Sequence, residues 1–242
     1  MDTLIEPGKA TLITGGNAAG RSLLLRVAAG LEPAGARQNR AVIAGLGLTA
    51  PSRSAGRRKI GYLAPPGEEM FMGTTVAEEL SFSLPGKETD SSTGAAWLKE
   101  RFGDDFPPAE QNRSVWSLSE GQRRVLALAS QAQGLPEVWV CDEPLVLLDG
   151  KNATYIDGFL LGETARGAAV LISMARGARL LGWINRVLVL SSGGGVLYSG
   201  PPDDVPREAA DVLGWFHSSG GRLFSATSGD VVGNEQSTEG FA

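Results

Sequence analysis

The sequence predicts an α/β fold built on a mainly parallel sheet. Three observations predict it. A short apolar run at residues 10–14 leads into a glycine-rich turn and then into a helical pattern. Further strand-length apolar runs alternate with helical stretches along the chain. One of them, residues 138–142, reads Val-Trp-Val-Cys-Asp, a buried strand that ends in acids.

The elements follow in order. The run at 10–14 is the first strand, and residues 15–20 form the turn after it. Ser22 opens a helix, Ser-Leu-Leu-Leu-Arg-Val-Ala-Ala, that stops at Gly30. Residues 41–44 and 59–63 are two more short strands. Residues from about 66 to 134 are expected to be mainly helical, interrupted by a polar stretch at 85–93. Residues 138–142 and 169–173 are buried strands. Residues 187–190 and 196–198 form an expected hairpin around Gly193-Gly-Gly195. From about Trp215 the chain turns Gly/Ser/Asp/Asn-rich and loses periodicity, so that tail is expected to be loosely ordered.

Composition narrows the function. A chain of 242 residues suits one large domain, here with a core at about 1–65 and 135–205, a helical subdomain at about 66–134 and a tail at about 206–242. The hydrophobic share of 42% supports a packed core and excludes wholesale disorder. The net charge of −5 argues against a nucleic-acid partner. Cys141 is the only cysteine, which excludes an internal disulfide framework and a thiolate zinc site. His217 is the only histidine, so any triad or imidazole metal site would have to use it. No apolar run approaches the roughly 20 residues that span a bilayer. No basic start followed by an apolar block is readable at the N-terminus, so a cytoplasmic location is expected, with membrane contact only through a partner.

The segment Gly15-Gly16-Asn17-Ala18-Ala19-Gly20-Arg21-Ser22 fits the pattern G-x-x-x-x-G-K-[ST] except that arginine replaces lysine. Glycines let backbone N–H groups turn inward around phosphates, and the helix that follows, including Leu23, aims its positive end at them. Ser22 is placed to hold Mg²⁺. Arginine keeps lysine's charge, but its planar fork is bulkier and cannot take the same position. Read alone, the loop is also compatible with a plain glycine turn.

The segment Ser119-Glu120-Gly121-Gln122, preceded by Trp116-Ser-Leu118, resembles the signature motif of ABC-type ATPases. The strand at 138–142 followed by Glu143-Pro144 looks like that family's Walker B strand, and Asp149 falls at its D-loop spacing. With the phosphate loop ahead of them, four ordered motifs agree over about residues 6–205. The resemblance implies a P-loop NTPase core with an inserted helical subdomain carrying the signature, and ATP and Mg²⁺ as cofactors. It implies that Asp142, with Ser22, orients Mg²⁺ and that Glu143 polarises the attacking water as the catalytic base. Ser119 to Gln122 also fits a capping box, S-x-x-[EQ].

Four family features are missing. The glutamine expected after the strand at 60–63 is replaced by Ala64 and Pro65. The switch histidine is replaced by Met174, and His217 lies too late in the chain to substitute. The loop lysine is Arg21. No aromatic residue precedes Gly15 to stack on adenine. In this family each composite site takes its loop, Walker B, glutamine and histidine from one subunit and its signature from the other. All four losses fall on the site this chain builds for itself, whereas Ser119–Gln122 and Asp149, offered to a partner, are retained. The resemblance therefore implies a degenerate half that pairs with a second ABC ATPase beside a transmembrane transporter subunit, peripheral at the inner face of the membrane. A weak homodimeric ATPase and a scaffold without nucleotide are the competing readings.

Residues 69–82 are similar to a run in the cobalt and energy-coupling-factor importers. Met70, Phe71 and Met72 would be soft contacts for a membrane subunit's coupling helix. The simpler reading is a short helix capped by Thr75, with Phe71, Val76, Leu80 and Phe82 packed on the core.

Overall fold

The computed structural model of the chain describes residues 5–32, 42–43, 46–47, 60–69, 71–82, 112–174, 182–212, 215–217 and 223–225. In chain order β1 is Ala10–Gly15, α1 Arg21–Ala28, β2 Val42–Ile43, β3 Leu46–Gly47 and β4 Ile60–Leu63. Next come α2 (Val76–Phe82), α3 (Glu120–Ala132), β5 (Val138–Asp142), α4 (Gly150–Ala165) and β6 (Ala169–Ser173). The chain continues with β7 (Arg186–Leu190), β8 (Val196–Gly200), α5 (Arg207–Val212), β9 (Trp215–His217) and β10 (Leu223–Ser225). The expected polar break at 85–93 and Met70 lie outside the described residues.

Six strands form one sheet in the order β4-β5-β6-β1-β7-β8. All neighbours in it are parallel except β7 and β8, the expected hairpin. The α/β class with a mainly parallel sheet therefore holds. β2 and β3 pair antiparallel with each other. So do β9 and β10, in a stretch where the sequence predicts irregular chain.

Alternation along the strands sets the layers, because successive side chains point to opposite faces. Ile13, Val140, Leu171 and Leu188 face α1 and bury its Leu25. Their neighbours Leu12, Trp139, Ile172 and Val189 face the other way and pack with Leu126 and Leu128 of α3 and Ile156 and Leu160 of α4. The eight-residue α1 is too short to hold itself together in water, and burying Leu25 supplies about 1.5–3 kcal/mol toward keeping it. On α2, Val76 and Leu80 are buried as expected, but Phe82 is 54% exposed, because the helix ends there and turns that ring away from the core. The Thr75 hydroxyl accepts from Glu78 N at 3.2 Å, as a cap should.

Two contacts fasten the sheet's edge. The Gln131 amide of α3 accepts from Tyr62 N at 2.5 Å and donates to Tyr62 O at 2.6 Å, satisfying outward backbone groups of β4 as another strand would. The fully buried Trp139 ring lies against Gly61, where a Cβ would come within 2.5 Å of it. Trp139 Nε1 donates to Glu163 at 3.1 Å, and Arg166 pairs with the same carboxylate. No helix among the described residues is long and apolar enough to cross a membrane.

Gly61→Ala should lower stability by about 1–3 kcal/mol in urea denaturation, since backbone and ring must separate. Burial pushes the Cys141 thiol up to about 12. The native protein should leave a thiol reagent such as Ellman's unreacted at pH 8, with one equivalent consumed on unfolding.

Candidate nucleotide site

The parallel strands bring their carboxyl ends to one edge of the sheet, where ligands bind in open α/β folds. The loop after β1, the acids ending β5 and the end of β6 meet there. Gly15 has φ +156°, and a Cβ on it would lie 2.5 Å from Leu190 O, so only glycine allows β1 to pass so close to β7 there. Gly20, at φ +85°, caps the start of α1 without a side chain. Asn17, Ala18, Gly20, Ser22 and Leu23 are exposed, Gly16 and Arg21 partly so, and Ala19 is buried under the loop.

Arg21 turns back onto its own loop. Its Nη1 donates to Gly15 O at 2.6 Å and to Gly16 O at 2.8 Å. Its Nη2 pairs with Glu143 Oε1 at 3.2 Å, in a partly buried ion pair. A planar fork suits two carbonyls and a carboxylate at once, as a lysine ammonium does not.

Asp142 is 1% exposed. Its Oδ1 accepts from the Ser173 hydroxyl, whereas Oδ2 is buried without a partner. Glu143 N donates to both Ser173 O and Ser173 Oγ at 3.1 Å. These bonds hold Glu143 at φ +48°, a sparsely populated conformation of the kind found at functional sites. Burial, then the Asp142 charge, pushes the Tyr62 phenol of β4 up to about 12.

Ala64, Pro65 and Met174 are held through backbone groups. Ala64 O accepts from Arg124 Nη1 at 3.0 Å, and Pro65 O accepts from Glu68 N at 3.1 Å. Met174 is 7% exposed and packs in the core, its N–H donating to Ile13 O at 3.1 Å. Arg124 of α3 is fully buried. It reaches Asp142 O, Glu143 O and Pro144 O at 3.2–3.4 Å and the Glu69 carboxylate at 2.8 Å. The segment from Asp142 to Pro144 is thereby tied to the loop after β4.

Residues 119–122 form both halves of the capping box. Gln122 N donates to Ser119 Oγ at 3.3 Å, and Ser119 N to Gln122 Oε1 at 3.0 Å. Glu120 pairs with Arg123 and accepts from Gly67 N at 3.1 Å. Gly121 lies against the Asn152 side chain, with room for no Cβ. Asp149 caps α4 by accepting from Asn152 N at 2.8 Å, and that bond holds its carboxyl below the usual range.

The residues present fit ATP with Mg²⁺. A buried carboxylate oxygen without a donor is costly, and a cation near Asp142 Oδ2 would relieve it. Above Gly16 and Gly20 a Cβ would meet no atom within 4 Å, which leaves the cradle open. The backbone of residues 15–23 would hold phosphates, with Ser22 and Asp142 toward the cation. Two contributors escaped the sequence reading. The sequence marks Ser173 only as the end of a buried strand and does not single out Arg124. Only strand register and helix packing reveal them.

Comparison with known proteins agrees. The ABC transporter family matches residues 1–146, and the chain belongs to that family. It is 32% identical over 242 residues to the Fe(3+) ions import ATP-binding protein FbpC 3 of Rhodococcus jostii, covering 94% of this chain and 67% of that protein. It is 29% identical over 194 residues to the energy-coupling factor transporter ATP-binding protein EcfA1 of Lactiplantibacillus plantarum, covering 78% and 66%. It spans only 35% and 32% of two longer ABC transporter ATP-binding relatives, from Streptomyces coelicolor and Onion yellows phytoplasma. In fold it is similar to cbiO1 of Clostridium perfringens, part of the complex cbiONQ, with TM-score 0.71, 21% identity and coverage of 88% and 86%. It is also similar to the ATP-binding cassette MJ0796 bound to ADP and Pi, with TM-score 0.70, 20% identity and coverage of 82% and 88%.

Arg124→Met should cost about 3–5 kcal/mol in chemical denaturation, because the buried Glu69 carboxylate loses its charge partner and keeps only the bond from Gly67 N. Arg124→Met with Glu69→Leu should recover most of that loss.

Proposed function

We propose that this chain is an ATP-binding subunit of a membrane ABC transporter whose own site is degenerate. It pairs with a competent ABC ATPase, to whose site it supplies Ser119–Gln122 and Asp149. It sits peripherally at the inner face of the membrane beside a transmembrane subunit. The import direction draws support from relatives named for Fe(3+) import and energy coupling.

One observation carries the reading: Arg21 directs its guanidinium at Gly15 O, Gly16 O and Glu143. The charge that should meet phosphates is engaged by the loop, and the residue that should activate water is in an ion pair with it. When bound, the nucleotide would supply the phosphoanhydride bond that breaks as its terminal phosphoryl group passes to water and the diphosphate leaves. Around it the loop backbone binds phosphate, Asp142 orients the cation, and Glu143 must leave Arg21 before it can accept a proton. Ala64, Pro65 and Met174 offer no polar side chain to help. Misplacing one phosphate-directed charge costs on the order of 10²–10³-fold in rate. The signature, in contrast, has an ordered cap. A weak self-sufficient hydrolase is the second reading, favoured by the retained Glu143 and the unpartnered Asp142 Oδ2.

The test is purification of the tagged chain from gently solubilised host membranes, followed by ATP assays. A second ABC ATPase and a membrane protein should co-purify. The isolated chain should gain thermal stability from Mg²⁺ and ATP, as a ligand of the folded state requires. It should turn ATP over at least about 10²-fold more slowly than the complex. Arg21→Lys alone should leave that rate low. Recovery of the chain without another ATPase, or full turnover restored by Arg21→Lys, would overturn the pairing and favour the homodimer. A melting temperature indifferent to nucleotide would overturn ATP binding itself.

A further inference from the structure

We propose that Ser173 is a positioning residue for the cation of the nucleotide site, an inference that rests on reading this site as one for ATP. Ser173 is fully buried at the carboxyl end of β6. Parallel register sets it level with Asp142, so the contact between them needs no intervening loop. A hydroxyl has one proton to give and two lone pairs to receive with. Here the proton goes to Asp142 Oδ1, and a lone pair accepts Glu143 N at 3.1 Å.

The consequence for Asp142 is asymmetry. One carboxylate oxygen is engaged, and the other is buried and free. Carboxylate torsions are broad wells, so without the hydroxyl the group could turn and divide its charge between two directions. The Ser173 bond leaves Oδ2 as the single oxygen available to a cation. The same hydroxyl shares with Ser173 O the Glu143 N–H, and the two together hold Glu143 at its left-handed φ. Thr14, buried at the same edge on β1, does not share the task, since its hydroxyl has no partner. One buried hydroxyl thus orients both acids, and loss of the switch histidine at Met174 leaves that arrangement in place.

The experiment uses the full chain carrying Ser173→Ala, Ser173→Cys or Ser173→Thr. The readout is the rise in melting temperature with ATP as Mg²⁺ is titrated, beside ATP in EDTA. Ser173→Ala should raise the Mg²⁺ midpoint about tenfold, the scale on which partners of metal-directed carboxylates act. Its response to ATP in EDTA should be unchanged. Ser173→Cys, close in size but a weak donor, should move the midpoint the same way, and Ser173→Thr should restore it. An unmoved midpoint in Ala and Cys would overturn the proposal. Equal weakening with and without Mg²⁺ would also overturn it, since the hydroxyl would then only support the fold. A wild-type chain that ignores ATP at every Mg²⁺ concentration would overturn the ATP reading first and this one with it. The wild-type titration therefore separates the two failures.

Discussion

Parallel pairing of β5, β6 and β1 is the constraint on which the site depends. Asp142 stands level with Ser173, and Ser173 level with Ile13. Every strand in this group therefore ends at the same edge, and each ends with a different chemical group. The glycine-rich loop, two acids and a hydroxyl converge although up to 158 positions, from Gly15 to Ser173, separate them in sequence. Alternating side chains on both faces of these strands hold the register, because a slip by one residue would exchange the α1-facing set with the α3- and α4-facing set.

Arginine in the loop changes the electrostatics without changing the net charge. Its rigid fork satisfies two backbone carbonyls and reaches Glu143 in one plane. A phosphate on this loop would have to compete with that arrangement. The buried Arg124 plays a different part. It joins α3, the segment after Glu143 and the loop after β4 through carbonyls and Glu69. The Arg124 side chain itself is fully buried, so each of those acceptors matters more than it would at the surface. The helix that begins at Glu120 is thus tied to the acids at the strand end by the Arg124 side chain.

Much of this was readable in the residues. The strands at β1, β4, β5 and β6 and the β7–β8 hairpin were predicted within a residue or two, since their apolar runs are short and bounded by turns. The capping box was readable because it depends only on Ser119, Gln122 and local geometry. The strand pair β9–β10 was not, because its pattern is only three residues long on each side. Phe82 was expected in the core, and the end of α2 turned it outward.

The sequence by itself determined the fold class and the family, because each is a local pattern of residue types. Tertiary structure decided where charges and protons go. Arg21 engages Glu143 across 122 positions, Ser173 reaches Asp142 across 31, and Arg124 reaches Glu69 across 55. Those contacts arise from sheet register and from α3 packing on the sheet, which bring distant residues within hydrogen-bond range.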